Sequence, residues 1–317
     1  MEFFGVDIAQ DEFEVQGPKG IVTVKNDRRA IKDWVKTTTK GAVIALESTG
    51  GYGMALAEIA HQCARTVYVI APRQIAAHRR SLGRRAKTDK MDARLIRDFI
   101  QSNHEKLHPF EPWAEPWKSL RDTVRLRTRL ARDRARIALR MRSFVKSPKE
   151  VAAVTRGIQK YIRELDKNIQ SQLAQVPESS AVSSPKGIGP LTAAASIAAL
   201  KQVPFKDKDA FVAYMGLDLI VSDSGKHKSK RGISSWGDVT LRNLYYLAGK
   251  SAACRPEWQP YVQQLQARGM KPIQVHCALA RKLARIVFAL YHSGDQFEPE
   301  RVHEAKPRAH PMLALQA

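Results

Sequence analysis

Hydrophobic and polar positions alternate in short runs over the first hundred residues of the chain. These runs and their turn residues predict strands at 3–9, 12–16, 21–25, 42–47 and 66–70. Helical spacing of apolar residues predicts helices at 27–37 and 53–63, with a further helix after the last strand. The order of three strands, helix, strand, helix, strand and helix predicts a mixed α/β sheet covered by helices.

The pattern changes after residue 102. Residues 103–118 are rich in proline and tryptophan, which is typical of a linker. Apolar residues then follow helical spacing from Leu120 to Phe144 and, after Pro148, from Ile158 to Leu173. This pattern predicts a long helical hairpin or coiled coil. Because its apolar face is narrow, we expect a partner helix pair from another subunit.

A compact and mostly α-helical domain is predicted from about residue 182, and the last residues show little periodicity. We therefore expect four regions: a catalytic α/β domain, a linker with an assembly hairpin, a helical domain and a mobile tail. Their predicted bounds are 1–102, 103–178, 179–297 and 298–317.

The charge balance narrows the choice of partner. The 317 residues include 53 Lys and Arg against 31 Asp and Glu, a net charge of +22. A protein with this charge attracts polyanions, which favours nucleic acid as its partner and leaves an anionic membrane surface as the weaker alternative. The apolar runs are too short to span a bilayer and the N-terminus lacks signal-peptide features, so we expect a cytoplasmic protein with no membrane contact. Three widely separated cysteines suggest reduced thiols.

Much of the positive charge is concentrated between Arg73 and Arg142. This segment has 16 Arg and 4 Lys against 5 Asp and 3 Glu. A solvated helix face would explain a charge run, but such faces normally alternate in sign. We therefore predict contact with nucleic-acid phosphates, to which arginine binds well. The candidate residues before the acidic helix start are Arg79, Arg80, Arg84, Arg85 and Lys87.

Four acidic residues are the candidate catalytic and metal-binding residues of the α/β domain. Asp7 shares a strand face with two small residues, and Glu47 ends an apolar strand. Asp89 and Asp92 form a D-x-x-D at a helix start, on the face that should pack on the sheet. Each acid has a structural explanation of its own: a hydrogen-bonded buried Asp, an exposed strand end, or a helix cap. The predicted order of strands and helices is that of an RNase H-like domain. In such a domain, the four acids together indicate a site for two Mg²⁺ ions.

The same residues carry a family resemblance. Gly5-Val6-Asp7-Ile8-Ala9, Leu46-Glu47-Ser48-Thr49-Gly50 and the segment 87–93 resemble the acidic motifs of the DEDD insertion-sequence transposases. The first domain of that family is similar to the RuvC Holliday-junction resolvase. Its relatives include the Piv-like DNA invertases and recombinases guided by a structured bridge RNA.

The second half of the chain resembles the same family. Residues 185–189, with Gly187 and Gly189, resemble its helix-hairpin-helix signature, whose turn binds a DNA phosphate. The segment 211–225 resembles the part that carries the family's nucleophilic serine, here Ser224. From spacing alone, Ser224 would be an ordinary turn residue. The basic residues of this region could contact the scissile phosphate or could simply belong to a loop exposed to solvent. They are Lys226, Lys228 and Arg231. Ser235-Trp236-Gly237-Asp238 departs from the usual K-x-G-N.

The resemblance implies a transposase or site-specific recombinase. It implies Mg²⁺, for which Mn²⁺ can substitute, at the four acids, and a covalent link between Ser224 and DNA. The implied partners are double-stranded DNA of the element ends and target, a structured guide RNA, and further copies of the chain in a dimer or tetramer. The alternatives are a RuvC-like structure-specific nuclease and a non-enzymatic DNA- or RNA-binding protein.

Overall fold

The chain folds into two compact units, Met1–Pro112 and Trp113–Ala317. The structure is a computed structural model that describes residues 1–48, 51–83, 89–145, 147–220 and 232–300, with the backbone alone at 89–91. Within these ranges, no helix combines the length and the hydrophobicity that crossing a membrane requires.

The N-terminal unit is a five-stranded sheet with helices on both faces. Its strands are β1 (Phe3–Ile8), β2 (Glu12–Gly17), β3 (Gly20–Lys25), β4 (Val43–Glu47) and β5 (Thr66–Ile70). Its helices are α1 (Arg28–Thr37), α2 (Met54–Gln62), α3 (Pro72–Ser81) and α4 (Asp89–Asn103), followed by a 3-10 turn at His104–Lys106. The strand order is β3-β2-β1-β4-β5. Parallel pairing joins β1 to β4 and β4 to β5, and antiparallel pairing joins β1 to β2 and β2 to β3. This mixed sheet fits an RNase H-like domain.

The alternation of side chains along β1 divides the hydrophobic core in two. Phe4, Val6 and Ile8 belong to the core under α1 and α2. The opposite face, which includes Val43 and Ala45 of β4, packs with residues of α3 and α4. Side chains alternate along a strand, so Asp7 lies on the same face as Gly5, which is the face that α3 and α4 cover.

One helix of this unit was not assigned from the sequence. The pattern treats Pro72 only as the end of β5, whereas it is also the first residue of α3. Proline suits this position because its fixed φ is helical and its missing N–H would have no partner there. Part of the predicted basic segment, including Arg79 and Arg80, is therefore helical.

The C-terminal unit contains helices and a two-stranded antiparallel ladder. The helices are α5 (Trp117–Arg142), α6 (Pro148–Ala174), α7 (Ser179–Ser183), α8 (Pro190–Gln202), α9 (Lys208–Tyr214), α10 (Val239–Ala252), α11 (Gln259–Ala267) and α12 (Pro272–Ser293), with a 3-10 turn at Pro256–Trp258. The ladder pairs β6 (Leu219–Ile220) with β7 (Gly232–Ile233). Every residue of α8 from Thr192 to Leu200 is buried, and its alanines allow close packing of neighbouring helices. Phe211, Tyr245 and Trp258 are also fully buried in this core.

The two long helices α5 and α6 pack against each other. The guanidinium of Arg127 donates hydrogen bonds to both carboxylate oxygens of Asp166, at 2.8 and 3.1 Å. Ile162, Ile169 and other residues at helical spacing form the buried face of α6. In contrast, Phe144 just beyond α5 is 89% exposed. The role of these helices in assembly and the predicted domain bounds stay predictions.

Candidate active site

Asp7 and Glu47 lie next to each other at one end of the sheet. Strands β1 and β4 run parallel with Val6 opposite Leu46, so the next residue of each strand falls at the same level and on the same face. Both side chains are half-buried. The pairing of the strands thus brings together two of the acids that were predicted from separate motifs.

Asp92 reaches this place from α4. A Cβ atom on Gly5 would lie 2.1 Å from the carbonyl oxygen of Ala93 and 2.3 Å from the backbone nitrogen of Arg97. The bare glycine therefore allows α4 to pack directly on β1, and Asp92 is only 5% exposed there. Asp89 begins α4, but its side chain lies outside the described residues.

A cavity of about 490 Å³ is lined by these three acids and by Glu12 and Glu14 of β2. Glu14 lies opposite Asp7 in the β1–β2 register, and its Oε2 atom is buried without a hydrogen-bond partner. Carboxylate oxygens are the donors that Mg²⁺ prefers, so the lining fits a divalent cation in the kind of ligand it offers. Among the described residues, however, no three acidic, histidine or cysteine side chains are grouped closely enough to hold a metal ion.

Arg79 of α3 lines the same cavity and forms an ion pair with Asp92. Its Nη2 atom donates a hydrogen bond to Oδ1 of Asp92. The two side chains are 21% and 7% exposed, so the pair is largely shielded from solvent. This arginine, predicted as a phosphate contact, is therefore tied to one of the predicted metal ligands.

The other predicted phosphate contacts of this region fall into two groups. Arg80 is exposed at the end of α3, where its Nε atom donates to the carbonyl oxygen of Ala76 at 3.4 Å. Arg84, Arg85 and Lys87 lie outside the described residues. Arg80 thus has the accessibility that a phosphate contact requires, whereas Arg79 has an acidic partner.

In the C-terminal unit, the predicted nucleophile Ser224 and its basic neighbours Lys226, Lys228 and Arg231 lie outside the described residues. The residues that flank this segment are paired. Leu219 of β6 is opposite Ile233 of β7, and the Ser234 hydroxyl donates a hydrogen bond to the Asp218 carboxylate. The residues that flank the segment 221–231, Ile220 and Gly232, are therefore paired with each other.

The divergent residues 235–238 connect β7 to α10, with a bend at Gly237. Gly237 has φ +135°, and a Cβ atom there would lie 2.0 Å from the carbonyl oxygen of Tyr214. The Asp238 carboxylate accepts hydrogen bonds from the Leu241 N–H at 2.9 Å, which caps α10, and from Arg125 Nη2 at 2.6 Å. Burial, followed by the charge of Asp238, raises the pKa of Tyr214. These contacts give residues 237 and 238 a structural role.

The turn between α7 and α8 contains both predicted glycines. Gly187 has φ +113°, and a Cβ atom there would lie 2.9 Å from the carbonyl oxygen of Ala248, so packing against α10 requires glycine. The indole N–H of Trp258 donates to the Lys186 carbonyl at 3.0 Å and fixes this turn. Gly189 precedes α8 and has open space around its Cβ position. The helix-hairpin-helix assignment and its DNA contact stay predictions.

Two transposase family models match the chain. Residues 4–148 match the DEDD transposase model of the IS110 type, and residues 179–263 match the model described as "Transposase IS116/IS110/IS902 family". The chain belongs to this transposase family. The carboxylate cavity lies in the first matched region, and both the α7–α8 turn and the segment 221–231 lie in the second.

The transposase is also similar to two pilin gene-inverting proteins, from Moraxella bovis and Moraxella lacunata. It is 25% identical to each over 323 residues, which cover 95% of this chain and 99% of the relative. Together with the family models, this similarity identifies an enzyme of DNA recombination, which binds DNA.

Sequence reasoning missed three contributors to the cavity: Glu12, Glu14 and the pairing of Arg79 with Asp92. The alternation of Glu12, Phe13, Glu14 and Val15 shows that both glutamates share one strand face. That this face is the face of Asp7 depends on the register of the hairpin, with Asp7 opposite Glu14. No local sequence signal indicates the Arg79–Asp92 pair.

Proposed function

We propose that the transposase cleaves and rejoins DNA with a divalent-cation site in its N-terminal unit and a serine nucleophile in its C-terminal unit. The cation site consists of Asp7, Glu47, Asp89 and Asp92, and the nucleophile is Ser224. The observation that carries the proposal is the convergence of Asp7, Glu47 and Asp92 on one cavity, from two strands and a helix that are separate in sequence.

The residues of the cavity fit Mg²⁺ or Mn²⁺ in chemistry. Transposases of the DEDD family typically use divalent metal ions. When bound, the cation offsets the negative charge of the phosphodiester and stabilises the attacking and leaving oxygens. Asp7, Glu47 and Asp92 supply anionic oxygen donors.

Ser224 is proposed to form the covalent intermediate. Its hydroxyl oxygen attacks the scissile phosphorus, the hydroxyl proton passes to a base, and a bond forms between Oγ and phosphorus. The bond between phosphorus and one bridging oxygen breaks, and that oxygen leaves as a hydroxyl after taking up a proton. Attack by a hydroxyl of another DNA end reverses these steps, releases Ser224 and rejoins the strands. The β6–β7 ladder supports this proposal because it pairs the two residues that flank the serine segment, Ile220 and Gly232.

We also propose a structured guide RNA and a homo-oligomer as partners. The positive charge of the protein, +22 overall, attracts RNA as it attracts DNA. The transposase is purified from its native host after nuclease treatment of the lysate, and RNA that remains bound is sequenced. A single structured RNA encoded beside the gene supports guidance, whereas a random sample of cellular RNA contradicts it.

The decisive experiment is denaturing gel electrophoresis of labelled DNA incubated with the transposase and Mg²⁺. Wild-type protein should give a protease-sensitive shifted band, which is the covalent adduct. Ser224→Ala should lose both the adduct and the recombinant product while it still binds DNA. Ser222→Ala is the matched control and should keep both, because it removes a neighbouring hydroxyl from the same segment.

A second arm of this experiment tests the cation site. Asp7→Asn should abolish cleavage in Mg²⁺ with little loss of DNA binding, since it removes a ligand charge and leaves the basic surface intact. If wild type and Ser224→Ala both release free cleaved ends without an adduct, the serine mechanism is wrong and the hydrolytic nuclease is favoured.

A further inference from the structure

The cavity combines strong negative charge with one internal cation. Asp7, Glu12, Glu14, Glu47 and Asp92 line it, and Arg79 is the basic side chain among its described lining residues. A buried carboxylate is costly unless a cation or hydrogen-bond donors compensate its charge. Asp92, with its side chain 7% exposed, receives this compensation from the Arg79 guanidinium. In this arrangement the arginine occupies a carboxylate that the proposed function assigns to the divalent cation.

The position of Arg79 also allows a second interaction. It lies in the last turn of α3 and lines the cavity, and 21% of its side chain remains exposed although most of the ion pair is shielded from solvent. Arginine binds phosphate through two parallel N–H donors, as it binds a carboxylate. A DNA phosphate that enters the cavity therefore offers Arg79 an alternative anionic partner.

We propose that Arg79 is an exchangeable counter-charge, which holds Asp92 in the free protein and transfers to a DNA phosphate when DNA binds. This inference rests on the proposed function of the carboxylate site. Transfer of Arg79 leaves Asp92 available to the divalent cation at the moment when the substrate is in place. Such an exchange weakens metal binding in the absence of substrate and favours the assembled site in the DNA-bound state.

The exchange has a thermodynamic consequence. Since Arg79 competes with the cation for Asp92 in the free protein and DNA relieves this competition, cation and DNA must each strengthen the binding of the other by the same factor. A purely structural ion pair would add nothing to this coupling, because it would remain intact in both states; any coupling from direct attraction between cation and phosphate would then be the same with and without Arg79.

The first measurement is Mn²⁺ affinity of the full-length protein without DNA, by calorimetry or by electron paramagnetic resonance of free Mn²⁺. Arg79→Gln should bind Mn²⁺ at least about 5-fold more tightly than wild type, because the competitor for Asp92 is removed. Arg80→Gln is the matched control, as it removes the same charge from the adjacent and exposed position. It should change the affinity less than about 2-fold, since an exposed charge is screened.

The second measurement uses wild-type protein, so that it does not depend on how well a variant folds. Affinity for a short fluorescent DNA duplex is measured with and without Ca²⁺ at constant ionic strength. Ca²⁺ should tighten DNA binding about 5-fold in wild type and in Arg80→Gln, and the effect should fall below about 2-fold in Arg79→Gln. A wild-type affinity that does not respond to Ca²⁺ would overturn the inference.

The two proposals can fail separately. If Mn²⁺ binds wild type and Asp7→Asn abolishes this binding, the cation site is present; equal Mn²⁺ affinities of wild type and folded Arg79→Gln would then overturn the exchange alone. Mn²⁺ binding that does not depend on Asp7 would have a different meaning. If Asp7→Asn leaves the Mn²⁺ affinity of both wild type and Arg79→Gln unchanged, with DNA and without it, the exchange and the proposed cation site are both wrong.

Discussion

At the scale of single residues, Glu14 illustrates a conflict between stability and function. Its carboxylate lies opposite that of Asp7 on neighbouring strands, and like charges in this position destabilise a sheet. The buried Oε2 atom of Glu14 has no hydrogen-bond partner to offset this repulsion. A chain selected for stability alone would not place a second acid there, and this supports the proposed cation site.

Glu14→Gln should therefore stabilise the metal-free protein and weaken the enzyme. We expect the free energy of unfolding to rise by about 0.5 kcal/mol, because one like-charge pair is removed. Cleavage at limiting Mg²⁺ should fall several-fold, because the cavity loses negative charge near the cation. Urea unfolding in EDTA and a Mg²⁺ titration of cleavage measure the two effects. The exposed cavity residue Glu12 provides the control, and Glu12→Gln should show smaller changes in both. A Glu14→Gln variant that is less stable and fully active would contradict the prediction.

At the scale of secondary structure, the contact of β1 with α4 positions the candidate site. Gly5 lies where α4 crosses the strand, two residues before Asp7, and the backbone of Ala93 and Arg97 fills the space of its missing side chain. The burial of Asp92 depends on this approach, since the residue lies on the helix that Gly5 admits.

Gly5→Ala should damage stability and activity together. The added methyl group must push α4 away from the sheet, and overpacking of this kind costs about 2–3 kcal/mol. Cleavage should fall at least about tenfold even where the protein stays folded, since small displacements of catalytic groups have large effects. Urea unfolding and cleavage under native conditions measure the two. Gly157→Ala is the control: it adds the same methyl in open space on helix α6 and should stabilise by up to about 1 kcal/mol. Wild-type stability of Gly5→Ala would show that α4 does not depend on this contact.

The elements themselves show which parts of the fold the sequence predicts. Strands β1, β2, β4 and β5 have strong alternation or apolar runs, and the structure confirms them within about two residues of the predicted ends. Helix α3 was missed because Ile75 is its one buried residue among the described ten, so that no apolar stripe reveals it. Local patterns predict elements that pack along a whole face and fail for those that contact the core at a single point.

The candidate site follows the same rule. The acids Asp7, Glu47 and Asp92 were predictable because each occupies a distinctive place in its own strand or helix. The ion pair of Arg79 with Asp92 joins α3 to α4, and residues 82–88 separate these two helices in the sequence. Such contacts depend on tertiary packing and leave no local periodicity.

At the scale of the whole molecule, the positive charge is partly neutralised within the fold. The nine arginines from Arg121 to Arg142 have only Asp122 and Asp133 as acids in their own helix. In the structure, Arg125 binds Asp238 and Arg127 binds Asp166, two acids that are distant in sequence. Helix α5 therefore uses part of its charge to hold its neighbours, and a residue count overstates what is available to DNA.

The division of chemistry between two units leads to a test of the assembly. The carboxylate cavity belongs to the unit 1–112 and Ser224 to the unit 113–317, so one reaction centre can combine them within a subunit or between subunits. We expect the second arrangement. Asp7→Asn and Ser224→Ala should each be inactive alone, but a heterodimer of the two would contain one centre with an intact Asp7 from one subunit and an intact Ser224 from the other. When subunits with different tags are co-expressed, the doubly tagged fraction contains only mixed dimers and should recover roughly half of the wild-type reaction centres, since one of the two centres in each mixed dimer is intact. Recombination by the doubly tagged fraction measures this recovery.

A protein that carries both substitutions, co-expressed with either single variant, is the control and should remain inactive. Absence of any recovery from a purified mixed dimer would place both parts of the chemistry within one subunit.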